Sequence, residues 1–325
     1  MRFGIIGFGS FAEKSILPGI RSSGVADVVA IQKRSLEAAS LKAAEHGIPY
    51  AFDSVAELVR HPEVDAVFIV SANASHAAET VHAAKAGKHV LVEKPMAATI
   101  AQAERMVKVC KDHGVALMVG NMVRLSPVIS RIKALIKEGA IGNVIHVSTE
   151  FFYDHRISHR SWLFDRQIAG GGPVHDIGVH CLDTIRFILE DELQTVRGVL
   201  SPRPTRTTTE RTSVTGLSFK SGITASIYCS FEGPYRRSFI EVRGTDGTLS
   251  AFDFTKSGIP VHLHVVKGVD GEPQLPLVEE IEVPFLYAEE VRQFVEAVTS
   301  GSPPPITGEE GLINQRILDR MLRQR

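Results

Sequence analysis

Cysteine, tryptophan and long apolar runs are all scarce in this 325-residue sequence. Its three cysteines, Cys110, Cys181 and Cys229, are widely separated and form no CxxC pair, which excludes a disulfide framework and a thiolate metal site. Free thiols are typical of a reducing compartment, so we expect a cytoplasmic protein. No uninterrupted apolar run reaches the roughly 18 residues that a membrane-spanning helix needs, so no span is expected.

An excess of either charge is also missing. The 36 Lys+Arg nearly balance the 37 Asp+Glu, giving a net charge of −1, and like charges form no long block. Nucleic acids and acidic membranes attract proteins through a positive field, so neither is an expected partner. The nearest basic group, Arg203, Arg206 and Arg211, is interrupted by Glu210 and is predicted to be a solvated loop.

The first third of the chain alternates short apolar runs with helical patterns. At about 150 residues per domain, the length predicts two domains. Alternation of this kind is typical of βαβ units and a parallel sheet, so we predict a doubly wound Rossmann domain over residues 1–121. The predicted strands cover residues 3–6, 28–31, 66–70, 89–92 and 116–119.

Residues 122–325 follow a different pattern. From Ile223 to Phe231 every second residue is apolar, which predicts a strand with one buried and one polar face. Similar strands are predicted over 144–153, 214–219, 239–243 and 261–266, with a hairpin signal at 245–248. The polar face would carry Tyr228, Glu241 and Arg243. We therefore predict an α/β protein whose second, α+β domain contains a large, mainly antiparallel sheet for substrate binding and oligomerisation.

A glycine-rich turn lies between the first predicted strand and helix. Residues 7–12 read G-x-G-x-x-A, in which the first glycine permits a tight turn and the second admits a pyrophosphate close to the backbone. A helix N-terminus there would offer N–H groups to the phosphates. The predicted dinucleotide contacts are Gly7, Phe8, Gly9, Ser10 and Phe11.

The end of the second strand indicates which dinucleotide is bound. Enzymes that use NAD place a carboxylate about 20 residues after the glycines, to hold the ribose hydroxyls. Here Lys33 and Arg34 occupy that region, and two cations suit a 2′-phosphate. We therefore predict NADP(H) in preference to NAD(H), which remains possible; the alternative is that both side chains are merely solvated.

Several segments together resemble the Gfo/Idh/MocA oxidoreductases. They are residues 71–76 (SANASH), 86–95 (AGKHVLVEKP), 170–172 (GGG) and 176–183 (DIGVHCLD), and the resemblance covers almost the whole chain. Members of this family are nicotinamide-dependent enzymes that act on sugars, inositols and related polyols. Lys33 stands where NAD-using members carry an acid, in agreement with the NADP(H) prediction.

The resemblance implies roles for matching residues. Lys94 would contact the nicotinamide ribose and the reacting oxygen, while His180 would be the general acid/base and Asp176 its orienting partner or a substrate contact. The further cofactor contacts it implies are Ser71, Asn73, His76, Glu93, Asn121, Trp162 and Tyr287. For the substrate it implies Arg124, Trp162, Asp176 and His180, although Arg124 could equally form a structural salt bridge between domains.

Spacing supports a shared site for Asp176 and His180. They are four residues apart with Asp183 three further on, so a helix would place all three on one face. Hydride transfer to or from a carbinol carbon needs a proton partner, and histidine is the residue type best suited at neutral pH. A helix-capping or core hydrogen bond is the alternative for this pair.

Metal binding is a competing use of the histidines in this part of the sequence. Metal could bind at His175, Asp176 and His180, or at His155 and His159, but neither group has the HExxH pattern or a clear third ligand, so no metal is predicted.

The sequence leaves two functions to compare. The first is an NADP(H)-dependent oxidoreductase acting on a secondary alcohol or ketone of a sugar, inositol or polyol, as a homodimer or homotetramer. The second is a non-catalytic dinucleotide sensor on the same fold. Because Lys94, Asp176 and His180 are all present, the enzyme is favoured.

Overall fold

The computed structural model describes residues 1–157 and 160–323. It divides into two compact units. The first unit contains Met1–Met122 and Tyr287–Arg316, and the second contains Val123–Leu286 together with the chain from Ile317 onward.

The first unit is built on a six-stranded parallel sheet. Its order, β3-β2-β1-β4-β5-β6, is that of a doubly wound Rossmann fold and confirms the predicted fold class. The strands are β1 (Arg2–Ile6), β2 (Asp27–Gln32), β3 (Tyr50–Phe52), β4 (Ala66–Ile69), β5 (His89–Glu93) and β6 (Leu117–Gly120). The helices between them are α1 (Leu17–Ser22), α2 (Leu36–His46), α3 (Val55–Arg60), α4 (His76–Lys85) and α5 (Ile100–Asp112).

Local sequence sets the ends of these helices. Ser35 caps α2 by accepting a hydrogen bond from the N–H of Ala38, and Gly47 ends the helix in the left-handed conformation. Thr99 and Gln102 form a reciprocal capping box at the start of α5. Each cap satisfies N–H or C=O groups that the helix leaves unpaired, so the connections to the sheet are short and fixed.

The C-terminal segment corrects the predicted domain division. Residues 122–325 were expected to belong entirely to the second domain, yet α9 (Leu286–Ser300) and most of α10 (Gly308–Leu322) lie in the first unit. Phe294 of α9 packs against Phe3 of β1, with ring centroids 5.8 Å apart. The Val119 N–H of β6 also donates to the Ile306 carbonyl at 3.0 Å. The apolar stripe of α9, formed by Val291, Phe294, Val295 and Val298, therefore covers the Rossmann core.

The second unit is built on a nine-stranded sheet. Its order is β14-β13-β12-β11-β7-β10-β9-β8, with β15 also paired to β13. Every pairing is antiparallel except β10 with β7, which confirms a mainly antiparallel sheet. The strands are β7 (Val144–Asp154), β8 (Leu193–Ser201), β9 (Thr212–Phe219), β10 (Thr224–Ser230), β11 (Glu232–Gly244), β12 (Gly247–Phe252), β13 (Val261–Val269), β14 (Glu272–Pro273) and β15 (Leu277–Ile281).

The helices that lie entirely within the described part of this unit include α6 (Pro127–Lys137), α7 (Arg166–Ala169) and α8 (Val179–Leu189). The predicted hairpin is present, since β11 and β12 pair across it with Arg243 opposite Thr248. Within the described ranges, no helix is long and apolar enough to cross a membrane.

Candidate functional site

The glycine-rich turn lies where the order of the parallel sheet reverses, between β1 and β4. Gly7 has φ +82°, and a Cβ there would lie 2.7 Å from Ser71 Cα. Only glycine fits both constraints. At Gly9, by contrast, a Cβ would meet nothing nearer than 3.9 Å, so the second glycine leaves open space beside the backbone. This is the cradle that a pyrophosphate requires, and the residues present fit a dinucleotide.

The helix that follows the turn has an unusual start. Residues 10–22 are helical, but Ala12–Ile16 form a wide π-helical turn before α1. Phe11 is 40% exposed, and its ring meets the edge of Tyr287 at 5.8 Å between centroids. The structure thus brings two predicted cofactor contacts together.

Gln32, at the end of β2, fixes the turn in a way that sequence reasoning missed. Its Oε1 accepts from the Gly7 N–H at 3.2 Å, and its Nε2 donates to the carbonyls of Lys33 and Asp53. Lys33 Nζ donates to the Phe8 carbonyl at 2.6 Å, whereas Arg34 is exposed. Of the two predicted cations, Lys33 is therefore bound to the turn itself and Arg34 faces solvent.

His76 corrects one predicted cofactor contact. Its ring is 0% exposed, with Nε2 3.0 Å from the Ser71 carbonyl and Nδ1 3.2 Å from the Pro95 carbonyl. Burial lowers the pKa of His76, so the ring is neutral. It links the segments that follow β4 and β5 and acts by positioning them.

Polar groups gather at the carboxyl ends of β5 and β6. Glu93 and Asn121 are buried, and Lys94 follows Glu93, whose Oε2 accepts from the Lys94 N–H. The side-chain amide of Asn121 has no hydrogen-bond partner among the described residues. An unsatisfied buried amide costs about 1–3 kcal/mol, which a ligand's polar group would recover.

A second buried carboxyl, missed in the sequence, lies beside Glu93. Glu290 on α9 is 0% exposed, and its Oε1 lies 3.4 Å from where a Cβ would stand on Gly120. Burial and the charge of Glu93 raise the pKa of Glu290 well above its usual value. Burial therefore favours the protonated, uncharged form of the Glu290 carboxyl.

In the second unit, Glu210 anchors the triple glycine. It is 0% exposed, and its Oε1 accepts from the Gly172 N–H at 2.9 Å and the Val174 N–H at 3.1 Å. A Cβ on Gly172 would lie 2.1 Å from the Glu210 carbonyl oxygen. Arg203, Arg206 and Arg211 are exposed, as predicted for a solvated loop, whereas the Glu210 carboxyl is buried and satisfies the N–H groups that open the helix carrying Asp176.

Asp176 has two partners that sequence reasoning did not single out. Tyr153 donates its hydroxyl to Asp176 Oδ2 at 2.8 Å. Arg160 donates to both carboxylate oxygens, at 3.2 and 3.0 Å, and to the Tyr153 oxygen at 3.0 Å. Asp176 is only 4% exposed, so its carboxylate is a buried charge balanced by a guanidinium.

The helix geometry differs in part from the prediction. Asp176 lies in a π-helical turn, Val174–Gly178, while His180 and Asp183 lie in α8. His180 is 7% exposed and its ring is 6.1 Å from that of Phe151. Asp183 accepts hydrogen bonds from Arg124 at 2.9 and 2.5 Å, and both residues are buried in the second unit. The salt-bridge alternative for Arg124 is therefore observed, although within one unit.

Trp162, His175 and His155 also belong to the second unit. Trp162 lies in a short 3-10 turn, Ser161–Phe164, and is partly buried. Burial lowers the pKa of His175 to about 3, so its fully buried ring is neutral. His155 Nδ1 faces the Phe231 carbonyl at 3.2 Å, and His159 lies outside the described residues.

One cluster of potential metal ligands exists in the part of the chain that the structure describes. It consists of Glu13, Glu45 and His46, none of them predicted. Lys42 Nζ lies 2.8 Å from a carboxylate oxygen of each glutamate. The Lys42 ammonium group pairs with both carboxylates, so the cluster is a salt-bridge network between two helices.

Comparisons with known proteins agree with this geometry. Residues 1–121 match the model described as "Oxidoreductase family, NAD-binding Rossmann fold", and residues 129–250 match the "GFO/IDH/MocA C-terminal domain". The chain is 33% identical to 1,5-anhydro-D-fructose reductase from Ensifer adhaerens, over 96% of this chain and 92% of that protein. It is 30% identical to D-xylose 1-dehydrogenase (NADP(+)) 2 from Haloferax volcanii, over 98% and 95%.

A solved structure gives the same result. Aldose-aldose oxidoreductase from Caulobacter crescentus, complexed with glycerol, superposes with a TM-score of 0.85 at 27% identity. The match covers 99% of this chain and 96% of that one. Both units are therefore shared with oxidoreductases along nearly their whole length.

The pairing of Asp176 with Arg160 predicts a stability effect. Arg160→Met removes the guanidinium from a buried carboxylate, and we expect the free energy of unfolding to fall by about 1–3 kcal/mol. Urea-induced unfolding of the two proteins measures this difference in the free energy of unfolding. Arg156→Met is the matched control, since Arg156 is exposed and pairs with Asp154. Equal stability of the two variants would contradict a structural role for the buried pair.

Proposed function

The chain is an oxidoreductase of the Gfo/Idh/MocA family, and from that premise we propose that it transfers hydride between NADP(H) and a secondary alcohol or ketone of a sugar, inositol or related polyol. The observation that carries the proposal is the Gly7 turn, which leaves an open cradle at the switch point of the sheet. The unpaired amide of buried Asn121 is a second group that suits a cofactor. The relatives named above support a sugar as substrate.

The residues have the following roles in this proposal. The nicotinamide, when bound, supplies or accepts the hydride. Lys94 hydrogen-bonds the reacting oxygen and polarises its bond to carbon. His180 gives that oxygen a proton during reduction and removes it during oxidation. Asp176, held by Arg160 and Tyr153, keeps a fixed negative charge near the start of α8 and can accept a hydrogen bond from a substrate hydroxyl.

Arg34 and Lys33 support the preference for NADP(H). Arg34 is exposed at the end of β2, where a guanidinium can bind a 2′-phosphate through paired N–H groups. Lys33 holds the Phe8 carbonyl and adds positive charge beside the turn. Gln32 stands at the strand end with no negative charge to repel the phosphate.

The sensor alternative lacks support among the relatives, which are named as a reductase and a dehydrogenase. We infer a cytoplasmic location because all three cysteines are free, buried thiols. We also infer a homodimer or homotetramer formed through the outer face of the large sheet. On that face Tyr228 pairs with Glu150 and Glu241 with Ser148, and Phe252 is 50% exposed.

Substitution of the two proposed chemical groups tests the mechanism. Lys94→Ala and His180→Ala are each expected to lower kcat by about 10²-fold or more, because each removes a group that acts on the reacting oxygen. Fluorescence titration should show nearly unchanged dinucleotide binding. Lys85→Ala and His82→Ala, at exposed positions on α4, are the matched controls. Full turnover in either test variant would rule out its assigned role.

The cofactor preference has its own test. Arg34→Ala should weaken NADPH binding by about tenfold or more and change NADH binding little, since only NADPH carries the 2′-phosphate. Arg60→Ala, another exposed arginine of the first unit, should change neither. Wild-type protein that binds NADH more tightly than NADPH would contradict the preference.

Light scattering tests the assembly. The protomer has a mass of 35.4 kDa, and we expect two or four times that mass in solution. Replacing half-exposed Phe252 by Lys should lower the mass, because it places a charge in the proposed contact face. A wild-type mass of one protomer would contradict the inference.

A further inference from the structure

One carboxyl group beside the Gly7 turn has no role in the proposed mechanism. Glu79 lies on α4, and its Oε2 is 2.5 Å from Ser71 Oγ. Ser71 in turn packs on Gly7, with its Cα, N and Cβ all within 3 Å of where a Cβ on Gly7 would stand. A single hydroxyl therefore separates Glu79 from the turn that would receive a diphosphate.

Burial sets the protonation of Glu79. It raises the pKa of Glu79 to about 7, while the hydrogen bond with Ser71 acts in the opposite direction. Among the described residues no charged group adds to this shift, and His76 on the same helix is buried and neutral. The titratable groups on the elements packed against α4 are Glu57 and Arg60 on α3, His89 and Glu93 on β5, and Glu104, Arg105, Lys108, Cys110, Lys111 and Asp112 on α5.

The protonation state decides which way the Ser71 hydroxyl points. An ionised Glu79 can only accept, so Ser71 must donate its one hydrogen to Glu79 and can turn only lone pairs elsewhere. A protonated Glu79 can donate to Ser71 Oγ, which frees the hydroxyl hydrogen for another acceptor. Phosphate oxygens accept hydrogen bonds, so they favour a Ser71 hydroxyl that is free to donate. They also carry negative charge, so they favour the protonated, uncharged form of Glu79.

We propose that Glu79 is a further cofactor-positioning residue, and that the dinucleotide binds to the form in which Glu79 is protonated and Ser71 is free to donate. The inference rests on the proposed function in placing the dinucleotide at the Gly7 turn. Binding of the cofactor is then accompanied by the uptake of one proton by Glu79.

The affinity for the dinucleotide is expected to fall as the pH rises. At pH 6 Glu79 already carries its proton, and affinity is at its highest. As the pH rises through about 7, a proton must be taken up on binding, so the dissociation constant increases by up to about tenfold per pH unit. The increase ends where Glu79 titrates in the complex.

Titration of NADPH into the full-length protein between pH 6 and 8.5 tests the inference. Wild-type protein should lose about three- to tenfold in affinity across this range relative to Glu79→Gln, whose amide can always donate to Ser71. Comparing variants with the same ligand cancels the titration of the 2′-phosphate. Glu57→Gln, at an exposed position on α3, should keep the wild-type slope.

Calorimetry gives a second readout that needs no variant. Binding to wild-type protein at pH 7.5, measured in two buffers of different ionisation enthalpy, should show net proton uptake. Equal slopes for wild type and Glu79→Gln, or no uptake beyond that of the ligand, would overturn the inference alone. Failure of NADPH to bind wild-type protein at any pH would overturn the proposed function as well.

Discussion

The contact between Gly7 and Ser71 is the constraint on which the first unit depends. In a doubly wound sheet the strand order reverses at one point, which here lies between β1 and β4. The loops that follow these two strands come so close together that a Cβ on Gly7 would lie within 3 Å of Ser71. Glycine is the one residue that fits, and the side-chain oxygen of Gln32 holds the resulting turn by accepting a hydrogen bond from the Gly7 N–H. His76 joins the same loop to the segment after β5, so Lys94 is held in the same framework.

In the second unit, several ionisable side chains near the triple glycine and α8 are buried. Asp176 and Asp183 lie on the same helical segment, and each is neutralised by an arginine, Arg160 and Arg124. Glu210 instead accepts backbone N–H groups, and burial raises its pKa. The arginine partners balance the buried carboxylates of Asp176 and Asp183 and fix the positions of both side chains.

Sequence periodicity and motifs predicted five of the six strands of the parallel sheet, missing the short β3, and did not predict the long-range partners of the site residues. The doubly wound parallel sheet, the G-x-G turn and the hairpin before β12 follow from local patterns in the sequence. Tyr153, Arg160 and Glu210 were missed because nothing local distinguishes a residue that folds back on Asp176 or the triple glycine from a surface residue. For the same reason the unit to which α9 belongs was not predicted. Its apolar stripe indicates a buried face but not which unit that face covers.

The most direct test of the account follows the hydride itself. The protein is incubated with NADPH deuterated at the transferable position and a panel of keto-sugars and inososes, and the products are analysed by mass spectrometry and NMR. We expect one deuterium at the new carbinol carbon for each NADPH consumed. NADPH that binds but is oxidised by no member of the panel, or is oxidised without deuterium reaching the sugar, would contradict it.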